Sequence, residues 1–457
     1  VYLRPSAALE RALAMVEDSA TDRPLSHHGS AYMPDDLAGV QWYLRNTSLG
    51  GGDSRALGGW AESLGDSTVV VAVCDTGIDW HHPDLGGPHP DKVNGALWTN
   101  WAEYHGTPGV DDDGNGFVDD IRGWDFVSVS AGQVYPGEDP GPPDNDPMDF
   151  NGHGTLVAGC VAPITDNGIG IAATAPGCKV MALRIGWHTP DGNGVAYPSY
   201  MAQAFLYAVA NGADIINLSY GTSYYSPFQS AINTALNAGL VICVSAGNDN
   251  DQNAGYLQAF ADDRVLTVAA SNSSDGKADF SSFGTWVDVT APGKNIYTTA
   301  YSFQSGESTY SSTQGTSFAS PITAGACALI WSALPDLTSA EVAALVQDTC
   351  DDIDHLNPTY EGLLGHGRIN LLRALGDTVH QVPQEFTDLQ DAINMAAAGD
   401  EVRVLASEPL GAFVVQKEIT VAGGYAADYE TRDPVNTPTV VDAASTGPAL
   451  EFFGPIT

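Results

Sequence analysis

A serine set among small residues, in Gly315-Thr316-Ser317-Phe318-Ala319-Ser320-Pro321, opens an apolar stretch with the pattern of a helix. An alcohol is a weak nucleophile until the fold exposes it, sets a base beside it and prepares a site for the anion that forms. The unpaired N–H groups of a helix start supply part of that anion site. Two further segments carry the complementary groups. Asp75 follows the apolar run Val69-Val70-Val71-Ala72-Val73-Cys74 and precedes Thr76-Gly77. His153 lies in Gly152-His153-Gly154-Thr155-Leu156-Val157-Ala158-Gly159, where small residues let a helix begin close against a sheet. Each alone has a structural explanation, a turn for the aspartate and packing for the histidine. In the order Asp, His, Ser they match the orienter, base and nucleophile of acyl transfer.

A second constellation is acidic. Asp111-Asp112-Asp113-Gly114-Asn115-Gly116-Phe117-Val118-Asp119-Asp120 places Asp111, Asp113 and Asn115 at the first, third and fifth positions of a calcium loop. Gly116 falls at the sixth and Phe117 at the seventh, as in EF-hand loops. Arg122 stands where the bidentate glutamate belongs, so Asp119 or Asp120 must substitute for it. Asp144-Asn145-Asp146 adds a weaker acidic signal. The pair His81-His82 suggests zinc only faintly, because oxygen donors dominate its surroundings.

The elements that must position these groups follow from apolar periodicity. Val69–Cys74, Val180–Ile185, Ile215–Leu218 and Leu240–Val244 read as fully buried strands. Between them, Tyr200–Ala210 and Phe228–Ala238 read as helices stopped by Gly212 and Gly239. Apolar strands alternating with helices predict a parallel sheet covered on both faces, with its ligand site beyond the carboxyl ends of the strands. The 457 residues divide into an extension over 1–33 with a short helix at 7–17, a large domain over 34–380, and a β-rich unit over 381–457. That last unit opens with a helix at 386–398, followed by strands near 401–405, 413–415 and 419–421.

Composition bounds the partners. With 17 Lys+Arg against 56 Asp+Glu, the formal net charge of −39 argues against nucleic acid and anionic membranes, which need cationic patches. No apolar run reaches the length of a membrane span. Six cysteines are too few for a disulfide scaffold in a chain this long, and no Cys-x-x-Cys pair suggests zinc. The chain begins at Val1, which suggests a fragment or a processed product.

The segments around Asp75, His153 and Ser317 resemble the signature regions of subtilisin-like serine proteases, the subtilases. A fourth, Ser245-Ala246-Gly247-Asn248, resembles the family's oxyanion segment. The resemblance covers roughly residues 35–375 and implies a doubly wound, mostly parallel α/β sheet flanked by helices. It also implies a calcium-stabilised serine endopeptidase working through an acyl-enzyme. Ser317 then attacks, His153 transfers the proton, Asp75 orients the imidazole, and Asn248 donates to the oxyanion. Ser219-Tyr220-Gly221 resembles the strand that pairs with an extended peptide substrate. The resemblance further implies a calcium site with Asp84, the Asn167 side chain, carbonyls of Thr165, Ile169 and Ile171, and Asp35 from the N-terminal segment. Secretion is implied by the family and by calcium use. Tyr256-Leu257-Gln258-Ala259 departs from the family, which often has Pro after the Tyr.

The β-rich unit resembles the capping helix and first rungs of a right-handed parallel β-helix, either continuing beyond Thr457 or packing as a small accessory sheet. It raises two other expectations: a catalytically silent subtilase-fold binding or adhesion protein touching cell surfaces or polysaccharide, and a carbohydrate-active enzyme. The complete set Asp75, His153, Ser317 and Asn248 opposes the first, and the lack of a recognisable carboxylate pair in the short β unit opposes the second. The residue after Ser317 yields a prediction. Phe318 stands where the family commonly has an oxidisable Met. Activity should therefore persist in hydrogen peroxide, and rapid inactivation mapped by mass spectrometry to the Ser317 segment would contradict this.

Overall fold

The computed structural model describes residues 32–46 and 51–375, then the strands 379–382, 401–405, 409–410, 413–415, 420–425, 440–441 and 450–452. The helices expected at 7–17 and 386–398 lie outside the described residues. Strands β1 (Val70–Asp75), β2 (Gly123–Asp125) and β3 (Lys179–Arg184) are followed by a hairpin of β4 (Gly186–His188) and β5 (Gly194–Ala196). After β6 (Ile215–Leu218), β7 (Val241–Ser245), β8 (Val265–Ser271) and β9 (Val289–Pro292) comes a second hairpin, β10 (Ile296–Ser302) and β11 (Glu307–Thr313).

Seven strands form one parallel sheet in the order β2-β3-β1-β6-β7-β8-β9. Strand β1 alternates its burial between two cores. Val71 and Val73 enter the core under the helices His153–Val161 and Thr316–Ala333. Val70, Ala72 and Cys74 enter the other, beneath the helices Pro198–Ala210 and Ser226–Asn237. Covering both faces explains why these strands are apolar throughout rather than alternating with polar residues. The two outer helices begin two residues before the expected segments, each with a proline in its first turn, where a missing N–H costs nothing.

Chain order reverses between β1 and β6, which opens the crevice where doubly wound sheets bind ligands. Cys74 pairs with Leu218, and Leu218 with Val244. Asp75, Ser219 and Ser245 therefore emerge along one edge, facing that crevice.

The Ser317 helix runs through the middle of the molecule, and 15 of its residues are buried, so it is apolar on every side. Pro321 within it has no N–H to give the Ser317 carbonyl four residues back. That carbonyl accepts the Ser219 hydroxyl instead, at 3.0 Å. The proline thus leaves the Ser317 carbonyl free for the bond that ties it to the β6 edge.

Arg368 is buried and closes the domain. It bonds Asp275 Oδ1 at 2.7 Å, Asp351 Oδ2 at 2.6 Å and the Asp53 carbonyl. All six cysteines are buried and free. Among the described residues no helix is long and apolar enough to cross a membrane. In the C-terminal region Val379–Val382, Glu401–Leu405 and Thr420–Tyr425 form a parallel ladder, with two shorter parallel pairs beside it.

Candidate active site

Asp75 is the last residue of β1 and is fully buried, and its Oδ1 lies 2.7 Å from His153 Nδ1. The Thr76 N–H donates to the same oxygen at 2.8 Å. This approach depends on Gly154, where a Cβ would collide with the Gly77 carbonyl and press on the Asp75 side chain. A carboxylate on Nδ1 directs the other ring nitrogen to act as the base.

Asp149 holds that geometry, and its role was not legible in the motifs. It is fully buried and accepts five hydrogen bonds, from the Asn151, Gly152 and Thr155 N–H groups and the Thr76 and Thr155 hydroxyls. The Thr76 hydroxyl in turn accepts the Gly154 N–H at 2.9 Å. The loop after β1 and the start of the His153 helix are thus tied to one buried charge. Burial pushes the Asp149 carboxyl up, and its hydrogen bonds pull it back toward the usual range. Its only sequence signal was an aspartate four residues before a Gly-flanked histidine.

Ser317 sits in the first turn of its helix, 8 % exposed. Gly315 precedes it at φ 152°, with space for a Cβ limited by Phe318 and Asn248. Asn248 is fixed through its oxygen, because Oδ1 accepts the Thr316 N–H at 2.9 Å and the Thr316 hydroxyl at 3.0 Å. Its Nδ2 is then the end able to donate elsewhere. Thr316 is a second positioning residue that the motifs did not single out. Asn217 Nδ2 donates to Ser219 Oγ at 3.2 Å, and Ser320 Oγ donates to Asn217 Oδ1 at 2.7 Å, extending the tie between β6 and the nucleophile helix. The Tyr220 and Phe318 rings lie 6.2 and 5.8 Å from the imidazole, and Gly221 continues the same edge. Among the described residues no hydrogen bond joins Ser317 Oγ to His153, a contact that commonly tightens only with substrate bound.

Burial is the largest influence on His153 and pulls its pKa down. The charge and hydrogen bond of Asp75, then the charge of Asp149, outweigh it and leave the pKa raised. With 28 % of the side chain open to the cleft, the burial effect is partial and the anions prevail.

Two acidic groups lie away from the cleft. Around the first, Asp84 accepts Asn167 Nδ2 at 2.9 Å, the Ile171 N–H at 3.1 Å and the Tyr310 hydroxyl at 2.9 Å. Thr165 and Ile169 belong to the same loop, in which Asn167 Oδ1 accepts the Ile169 N–H at 2.9 Å. A Cβ on Gly170 would fill the space beside Asp84. Asp35 is exposed and accepts the Gly168 N–H at 3.0 Å. Its neighbour Asp36 is 6 % exposed; Oδ2 accepts the Asn167 N–H, while the buried Oδ1 has no partner. Burial raises the carboxyls of both Asp36 and Asp84. Both His82 nitrogens are bonded, to the Thr309 carbonyl and the Asp84 N–H, so His82 has no nitrogen left for zinc.

In the second group Asp111 turns its carboxylate to the N–H groups of Gly114, Asn115 and Gly116. Oxygens of Glu103, Asp113 and Asp120 converge within 4.8 Å of one another, so Glu103 joins the set from outside the loop. Asp120 is buried beside Tyr207, Asn115 and Asn100 and pushed up to about 6, mainly by burial. Phe117 packs its ring on Trp124 and Tyr207. Asp119 Oδ2 accepts the Gly109 N–H at 2.7 Å.

Residues 66–368 match the sequence profile of the subtilase family. The chain is 32% identical over 347 residues to the thermophilic serine proteinase of Bacillus sp. strain AK1, covering 76% of this chain and 70% of that protein. It is 31% identical over 345 residues to thermitase of Thermoactinomyces vulgaris, covering 75% and 99%. An extracellular protease of Xanthomonas campestris pv. campestris is 34% identical over 338 residues, covering 70% and 53%. A solved structure of proteases from Pseudoalteromonas arctica superposes with a TM-score of 0.61 at 28% identity, covering 75% of this chain and 99% of that one.

The electrostatics yield a pH prediction. A base must be neutral, so kcat/KM should fall with acid along a limb above the ordinary histidine value of 6.5. The sign for stability is opposite. The attraction of imidazolium for Asp75 is fully present below the unfolded pKa and is lost as pH rises through the folded value. Asp149→Asn should move the acid limb downward and cut kcat by about tenfold to a hundredfold, the cost of misplaced buried hydrogen bonds. KM should change little. A pH–rate profile normalised to titrated active sites checks this, and an unmoved acid limb would count against it.

Proposed function

The chain belongs to the subtilase family and is a serine endopeptidase, and from that premise we propose that it cleaves proteins and peptides through Ser317, His153, Asp75 and Asn248. The carrying observation is the 2.7 Å bond between Asp75 and His153, whose ring lies 5.8 Å from that of Phe318, the residue after Ser317 in the first turn of a buried helix. Ser317 Oγ attacks the scissile carbonyl while His153 takes its proton. The oxyanion meets Asn248 Nδ2 and the Ser317 N–H, a group without an intrahelical partner so early in a helix. His153 then protonates the leaving amine, and water releases the acyl group by the reverse path. Ser219-Tyr220-Gly221, tied to Ser317 through Ser219, lines the edge on which an extended substrate adds as a strand.

Calcium is the proposed stabilising ion. The orphaned Asp36 oxygen, Asp84 and the Gly170 cradle fit a hard cation among oxygen donors. Asp36 is therefore the proposed N-terminal ligand in place of Asp35, joined by Asn167 and by carbonyls of Thr165, Ile169 and Ile171. Glu103, Asp113 and Asp120 are proposed for a second ion, which would relieve three close carboxylates of mutual repulsion. Action outside the cell is proposed from the calcium set and from the extracellular relative. The parallel ladder over 379–425 supports reading the C-terminal unit as the start of a β-helix.

Two measurements test this reading. A fluorophosphonate probe should label Ser317, with labelling abolished in Ser317→Ala, and an unlabelled, folded, calcium-loaded protein would sink the peptidase assignment. Calcium at about 100 times its Kd should add about 2.7 kcal/mol of apparent stability per site. Asp36→Asn should remove one such increment in thermal melts with and without chelator, whereas Asp35→Asn should keep it.

A further inference from the structure

Beyond β7 the chain turns back through Gly255-Tyr256-Leu257-Gln258 toward β8, and this turn bridges two walls of the cleft. The Tyr256 N–H donates to the Thr222 carbonyl at 3.3 Å, on the segment that continues from Ser219-Tyr220-Gly221. Gln258 Nε2 donates to the Ser245 carbonyl at 2.9 Å, three residues before Asn248. Because Ser245 offers only an acceptor there, the amide orientation is settled, and Oε1 points away from it. Gln258 is 5 % exposed, and its buried Oε1 has no partner. The oxygen lies where a Cβ on Gly255 would go, so the glycine leaves the space that this acceptor occupies. The Tyr256 hydroxyl, in the same turn, is also buried without a partner.

A buried acceptor left unmet is costly unless a ligand or water supplies a donor. On the endopeptidase reading the attacked carbonyl lies at Asn248 and Ser317, and we place the side chain of the residue bearing it between the segments after β6 and β7. The turn closing that gap is the one holding Gln258. We propose that Gln258 Oε1 selects, at the substrate residue whose carbonyl is attacked, a side chain ending in an N–H donor, such as glutamine or lysine, over an apolar chain of equal length.

This specificity rests on the endopeptidase reading, and the test separates the two. Active sites are first counted with the fluorophosphonate probe; failure to label fails the peptidase reading, not the specificity. Peptides differing only by Gln against Met, or Lys against norleucine, at the cleaved residue are then compared. The donor-bearing peptide of each pair should have kcat/KM higher by about tenfold or more, since a polar site left unpaired rejects the analogue lacking the donor. In Gln258→Met, normalised to titrated sites, that preference should collapse toward one or reverse. An enzyme that labels but cleaves the apolar peptides as well or better overturns the proposal. So does a Gln258→Met variant that keeps the preference.

Discussion

The buried carboxylate of Asp149 is the constraint on which the site depends. A charge removed from water is tolerable only when surrounding donors satisfy it, and the donors here come from two segments distant in sequence. Thr76 follows β1 directly, while Asn151, Gly152 and Thr155 flank His153. Satisfying one anion therefore brings Asp75 and His153 into register. The 2.7 Å bond between them follows from this arrangement rather than holding it alone. The small residues around His153 serve the same end, since bulk at Gly154 would push the helix off the sheet edge.

Ser317 depends on a different device. Its helix is buried all round, so its position is set by packing against the sheet, while Pro321 releases the Ser317 carbonyl to the Ser219 hydroxyl. Asn248 is oriented by Thr316, the residue immediately before Ser317. Asp75 ends β1, Ser219 follows β6 and Asn248 lies three residues past β7, so one parallel sheet carries the partners that hold His153, Ser317 and Thr316.

The acidic surplus has two physical roles. Most carboxylates among the described residues are exposed or half-buried, where like charge favours solubility. Others are drawn inward against the cost of burial, among them Asp84 with Asp36 and Asp120 with Glu103. Burial raises the carboxyls of Asp36, Asp84 and Asp120. The buried Arg368 solves the same problem with a protein cation, facing Asp275 and Asp351.

The residue order by itself determined the chemistry and the fold class. Apolar strands alternating with helices required a covered parallel sheet, and the local motifs around Asp75, His153, Ser317 and Asn248 carry signals within a few residues of each. Tertiary structure alone decided which groups hold and tune that chemistry. Asp149 carries a weak local signal because its donors lie up to 73 residues away. Asp36 and Asp35 are adjacent and identical in type, and only packing against the loop at 165–171 turns one inward. Glu103 reaches the acidic loop from a preceding helix, and Gln258 bonds the Ser245 carbonyl from the turn before β8. Such contacts join segments remote in sequence, and periodicity and motif spacing report only on near neighbours along the chain.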